Sequence, residues 1–179
     1  MKRLASALLL AFLLAAPASA SGPALPTPLT AQVLGLYFSP GGGATEAIVR
    51  TLGQARESLY VQAYSFTSPS IAQAIMQAHA RGIKVEVILD KSQRTEKYSG
   101  ATYLANAGVP VFIDDAHAIA HNKVMVVDDQ IVITGSFNFT KSAEERNAEN
   151  LLILRNPELA RAYLDNWLAH RKHSGQYNR

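Results

Sequence analysis

The chain has no cysteine among its 179 residues. It therefore folds without disulfides and is indifferent to the redox state of its compartment. It also has no marked excess of charge of either sign. Seventeen Lys and Arg stand against 14 Asp and Glu, so bulk charge does not mark a nucleic-acid binder. No internal repeat is visible, and no long apolar surface loop suggests a lipid entry site. The longest apolar run, Leu4 to Ala16, is too short to span a bilayer.

What is there begins with that run. Met1-Lys2-Arg3 is a basic start, Leu4 to Ala16 an apolar core and Ala18-Ser19-Ala20 a small-residue cleavage site, which together read as a signal peptide over residues 1–20. Cleavage after Ala20 leaves 159 residues and removes Lys2 and Arg3, so 15 basic side chains remain against 14 acidic ones. The expected location is the periplasm or the medium of a bacterium, with no stable membrane association after cleavage. Ser21 to Thr30, rich in proline and small residues, reads as a flexible lead-in. Residues 31–179 are enough for one domain with its own hydrophobic core.

Within that domain, apolar strand-like runs alternate with helical patterns. Strands are expected at Gln32–Phe38, Ser58–Ser65, Ile83–Leu89 and Val109–Ile113. Helices are expected at about Ala44–Arg56, from the Ser68-Pro69 cap to near Gly82, and at Tyr98–Asn106. A further strand, Glu149–Leu154, precedes a closing helix opened by Pro157 and running to about His170. This alternation predicts an α/β fold, an α/β/α sandwich with a mixed central sheet. The glycine run Gly41-Gly42-Gly43 precedes a helix but lacks the lysine and spacing of a phosphate-binding P-loop, so it reads as a plain loop.

The most informative stretch is His121 to Asn138. Two apolar runs flank the polar turn Asp128-Asp129-Gln130, with His121 and Lys123 at one outer end and Gly135, Ser136 and Asn138 at the other. If Asp129-Gln130 is a two-residue loop, Lys123 lies opposite Ser136 and His121 opposite Asn138, and the four polar groups share a face. A three-residue loop shifts the pairing by one and sets His121 against Phe137. Such a set suits phosphodiester chemistry. Lys123 supplies a cation, Ser136 and Asn138 supply hydrogen-bond donors, and His121 is a nucleophile usable near neutral pH.

The pattern His-x-Lys-x4-Asp-x6-Gly-Ser-x-Asn, complete at His121, Lys123, Asp128, Gly135, Ser136 and Asn138, resembles the signature of the phospholipase D superfamily. Phe139-Thr140-Lys141 and Asn147-Ala148-Glu149-Asn150 extend the likeness toward its small, single-motif bacterial endonuclease branch. The resemblance implies a phosphohistidine at His121 that water then hydrolyses, with no cofactor and no metal. It implies that Glu149 orients the imidazole, as the carboxylate of a triad does. Asp128 and Gly135 are read as structural members of the motif, Asp128 fixing the hairpin or an interface. The second histidine that such a route needs is absent from a one-motif chain, and the family's single-motif members supply it by forming a homodimer. The alternative is a monomer using His79, His117, His170 or His173.

The substrate expected from this likeness is nucleic acid, DNA before RNA, cut without sequence preference. Lys141, Arg94 and Lys97 are candidate phosphate-backbone contacts. Two rivals stand beside it. One is a phospholipase D-type lipid phosphodiesterase, since the same apparatus serves both substrates. The other is a metal-dependent nuclease using Asp114, Asp115, His117 and His121, which lie close together in sequence.

Overall fold

A computed structural model of the protein describes residues 28–95 and 99–178. The signal peptide and most of the lead-in expected at the N-terminus, and Lys97, lie outside the described residues. Eight strands form one mixed sheet in the order β1-β7-β6-β5-β2-β3-β4-β8. The strands are β1 (Gln32–Ser39), β2 (Ser58–Ala63), β3 (Lys84–Asp90), β4 (Val111–Asp114), β5 (Lys123–Val127), β6 (Ile131–Gly135), β7 (Glu149–Arg155) and β8 (Gly175–Gln176). β2, β3 and β4 are mutually parallel and every other neighbouring pair is antiparallel.

The helices are α1 (Ala44–Gly53), α2 (Pro69–Ala80), α3 (Gly100–Asn106), α4 (Lys141–Glu145) and α5 (Pro157–His173). Local chemistry explains their starts. Ser68 and Asn156 each precede a proline and accept from the backbone N–H three residues on, of Ile71 and Leu159, so both ends of the cap rule are met. The two-residue period of the strands then sorts the core into two layers. Leu59, Val61 and Ala63 with Met125 and Val127 face α1, α2 and α3. Tyr60, Val124 and Val126 face α5 through Leu164 and Trp167. Trp167 is the anchor of this second layer: its ring lies 5.0 Å from that of Tyr60 and its indole N–H donates to the Val61 carbonyl at 2.9 Å. The α/β/α sandwich expected from the alternation is what forms.

The hairpin register is the three-residue alternative. Val124 pairs with Thr134 and Val127 with Ile131, leaving Asp128-Asp129-Gln130 as the loop. Asp128 and Asp129 both take the left-handed conformation at φ 52°, and Gln130 N–H closes the turn on the Val127 carbonyl at 3.1 Å. The two-residue loop, and with it the direct pairing of Lys123 with Ser136, is thereby corrected. Two consecutive aspartates hold the positive φ that tight turns more often give to glycine or asparagine.

The topology sets up one rim. β2, β3 and β4 end there at Ala63, Asp90 and Asp114, and antiparallel β5 begins there, with Lys123 beside Ala63. In open α/β sheets, the crevice outside the carboxyl ends of parallel strands is where ligands bind.

Candidate active site

Three connections bring the motif residues to this rim. Tyr64 N–H donates to the Asn122 carbonyl at 2.9 Å, holding the entry to β5 against the end of β2. After β6 the chain turns back. Ser136 and Phe137 N–H both donate to the Asn150 carbonyl, Phe139 bridges to Phe66, and the Phe139 carbonyl accepts from Thr67 and Ser68. The turn depends on Gly135, where an added Cβ would sit 2.2 Å from the Asn150 carbonyl oxygen. His121, Lys123, Ser136 and Asn138 are thus delivered to one end of the sheet although their strands are not paired residue for residue as first drawn.

The His121 side chain is exposed, its ring 4.6 Å from that of Tyr64 at 57°. Lys123 is 7% exposed. Its ammonium donates to the His121 carbonyl at 2.8 Å and lies 5.2 Å from the Tyr64 ring centre, a cation–π approach. Burial pushes the Lys123 ammonium below its ordinary value, and the charge of Glu149 opposes that shift. With one of three N–H groups committed to a carbonyl, the ammonium keeps donors for an incoming anion.

Ser136 sits in a short chain of hydrogen bonds. Its hydroxyl donates to a Glu149 carboxylate oxygen at 2.6 Å and accepts from the Asn150 backbone and side-chain amides at 3.1 and 3.2 Å. The second Glu149 oxygen accepts from the Asn147 amide at 3.1 Å. Glu149 therefore orients Ser136 within this chain, whereas the sequence reading gave it to the imidazole. The Asn138 amide oxygen is buried and unpartnered among the described residues, a polar atom with capacity for a ligand.

Asp128 and Asp129 lie at the far end of the hairpin. The Asp128 carboxylate accepts from the backbone N–H groups of Arg56, Glu57 and Ser58 at 2.8–3.1 Å, which ties the α1–β2 connection to the hairpin turn. The expected phosphate contacts are also engaged elsewhere: Arg94 pairs with Asp115 at 3.3 Å and Lys141 with Glu145 at 3.4 Å, both exposed pairs of small energetic weight. Lys141 borders an open cleft of about 700 Å³ together with Gly41, Gly43, Ser68 and Glu144. No phosphate cradle exists at the glycine run, because the Glu144 carboxylate already takes the Gly43 and Thr45 N–H groups at 2.9 and 2.7 Å.

The proposed metal set is regrouped. Asp114 and His117 meet, but their partners are His170 and His173 from α5. Asp115 is turned to Arg94, and the His121 ring lies tilted against that of Tyr64. Two residues beside the motif side chains, Tyr64 and Asn150, were given no role in the sequence reading. Tyr64 could have been suspected from its place at the end of β2, and Asn150 from its position beside Glu149, but neither has a spacing signal of its own.

With this geometry in view, comparison with known proteins is decisive. The family model described as "Cardiolipin synthase, PLD-like domain" matches residues 48–170. The chain belongs to the phospholipase D family. A phospholipase D of Rickettsia conorii is 47% identical over 131 residues, 73% of this chain and 66% of that protein, so the chain spans about two thirds of the length of that relative. Among solved structures, Nuc from Salmonella typhimurium, a phospholipase D family member, superposes with a TM-score of 0.79 at 36% identity over 84% of this chain and all of the other. NucT from Helicobacter pylori superposes at 0.76 and 28% identity, over 83% of this chain and again all of the other. The phospholipase D motif spans β5 and β6 and the turns at their rim ends, and the mixed sheet is the frame that these proteins share.

Proposed function

We propose that the protein is an exported, metal-independent phosphodiesterase that cuts DNA with little sequence preference through a phosphohistidine at His121. The observation that carries the reading is the meeting of an exposed imidazole, a buried ammonium, a hydroxyl and an amide at one rim of the sheet. Lys123 neutralises the nonbridging phosphate oxygens, the Asn138 amide N–H donates to them, Ser136 turns its one O–H from Glu149 to them when substrate arrives, and the His121 ring attacks phosphorus in line with the departing oxygen. Water then cleaves the phosphorus–nitrogen bond.

Protonation of the leaving oxygen needs an acid, and the second step needs a base. A homodimer supplies both with the His121 of a second copy, on a twofold axis beside the rim. Two features support pairing. The motif occurs once per chain, and β1 presents Leu36 and Phe38, 54% and 62% exposed, with Leu36 directly across the ladder from Leu152. Nucleic acid as substrate is supported by likeness along the full length of Nuc and NucT, whose names belong to the small nuclease branch that the hairpin resembles.

A lipid phosphodiester is the second reading, favoured by the Rickettsia relative named phospholipase D. Parallel assays on plasmid DNA and phosphatidylcholine vesicles separate the two. Nicking of the plasmid without choline release is expected; choline release without nicking overturns the nuclease reading.

A further inference from the structure

Away from the hairpin, four side chains converge on one point at the other end of the same rim. Asp114 closes β4 and is fully buried. Its carboxylate contacts His117 Nδ1 at 3.0 Å, His170 Nδ1 at 2.7 Å and His173 Nε2 at 3.3 Å. The three imidazole rings stand 4.8–5.4 Å apart, centre to centre. One potential ligand atom from each of the four residues lies within 4.8 Å of all the others. The reaction at His121 uses none of them.

We propose that Asp114, His117, His170 and His173 bind a zinc-class divalent ion, which staples the end of α5 to the loop that delivers His121. Three imidazoles and one carboxylate are a ligand set for a borderline ion such as Zn²⁺, which takes four such donors tetrahedrally at roughly 2.0–2.2 Å. Ligand atoms around such an ion stand about 3.3 Å apart. The carboxylate–nitrogen distances of 2.7–3.3 Å lie at or just under that spacing, and with no two ligand atoms more than 4.8 Å apart the imidazoles draw together by about 1.5 Å at most on binding.

The framework is also suited to the task. His170 and His173 are three apart on the last turn of α5 and so share a face. Asp114 is held by the Ala116 N–H at 3.2 Å, an outer contact of the kind that fixes a ligating carboxylate. The His117 and His173 side chains are 44% and 38% exposed, giving an ion a path from solvent to the buried oxygen.

The site is separate from the catalytic one and mechanically linked to it. β3 and β2 lie between β4 and β5, a lateral distance of roughly 14 Å at about 4.8 Å per strand. The connecting loop is pinned at His117 and again three residues beyond it. Lys91 donates to the His117 carbonyl at 2.9 Å, and Ala120 N–H donates to Asp90 at 2.8 Å. An ion at His117 adds a third pin and joins this loop to the C-terminal helix. Its role is structural: it fixes the approach to His121 without touching substrate, and it does not depend on what that substrate is.

The test uses the full chain, treated with chelator and dialysed. Zn²⁺ is titrated by calorimetry and Co²⁺ by visible absorption. One ion per chain is expected, with a micromolar or tighter dissociation constant, an intense tetrahedral Co²⁺ band, and a rise in melting temperature of about 4 °C or more in excess Zn²⁺. His117→Gln and His173→Gln, both at partly exposed positions, should each weaken binding at least tenfold, while His121→Ala leaves it unchanged. Absence of saturable uptake at 100-fold excess, full affinity in both glutamine variants, or loss of uptake in His121→Ala would each overturn the assignment.

Discussion

Replacing Asp128 by Ala separates a structural from a chemical role for this motif residue, and the structure sets the size of the effect. The carboxylate takes three backbone N–H groups, those of Arg56, Glu57 and Ser58. Each such bond contributes ~0.5–1.5 kcal/mol net. Two of the three are solvent-exposed, and water replaces them in part, so about 2 kcal/mol is assigned to the set. The residue also sits at φ 52°, where alanine costs about 1 kcal/mol more than a residue that tolerates the left-handed region. The sum of about 3 kcal/mol corresponds to a fall in melting temperature of roughly 6–12 °C for a domain of this size. Asp128→Asn keeps an acceptor oxygen and the tolerance of positive φ, and should lose about a third as much. Thermal unfolding followed by circular dichroism, with turnover measured at 25 °C, reads both quantities. An alanine variant that melts within about 2 °C of the parent would refute the hydrogen-bond reasoning. One that melts normally yet has no turnover would put Asp128 in contact with substrate.

Other perturbations address the rim itself. His121→Ala is expected to remove turnover and leave DNA affinity within a few-fold, measured by filter binding at fixed salt. Ser136→Ala breaks the 2.6 Å bond to Glu149 and removes the hydroxyl that turns from Glu149 to the phosphate; kcat/KM should fall about 10²-fold with the melting temperature nearly unchanged. Burial pushes the Glu144 carboxyl up, but the Thr45 and Gly43 N–H groups outweigh it and hold it below its ordinary value. Its contribution to stability is therefore complete above about pH 4.5 and disappears as the pH falls through the lower folded value. Glu144→Gln should flatten that acid limb in urea melts taken from pH 6 down to pH 3. Turnover should persist in chelator, and loss of activity restored by Mg²⁺ would return the metal-dependent reading.

Much of this architecture can be read from the residues because the signals are local. Alternating apolar residues mark the strands, and Ser68-Pro69 and Asn156-Pro157 mark the starts of α2 and α5. α4, five residues long, and β8, two residues long, are too short for periodicity to register, and neither was anticipated. The hairpin slipped by one place because two consecutive aspartates adopt positive φ, a choice that local preference does not settle. Tertiary convergence was least visible. His170 reaches Asp114 across 56 positions of sequence, whereas proximity along the chain had grouped Asp114 and His117 with Asp115 and His121. Burial of Asp114 pushes its carboxyl up, but hydrogen bonds from His170, His117 and His173 hold it down at about 2. The bond from Ser136 to Glu149 likewise follows from the pairing of β6 with β7, not from spacing in the motif.

The most direct measurement is intact mass and peptide mapping of the protein quenched during turnover of a short phosphodiester substrate. A phosphorus adduct that is labile in acid, stable in base and located on His121 is the predicted result. Full turnover with no adduct on His121 under conditions that slow the hydrolytic step would contradict covalent catalysis by this side chain.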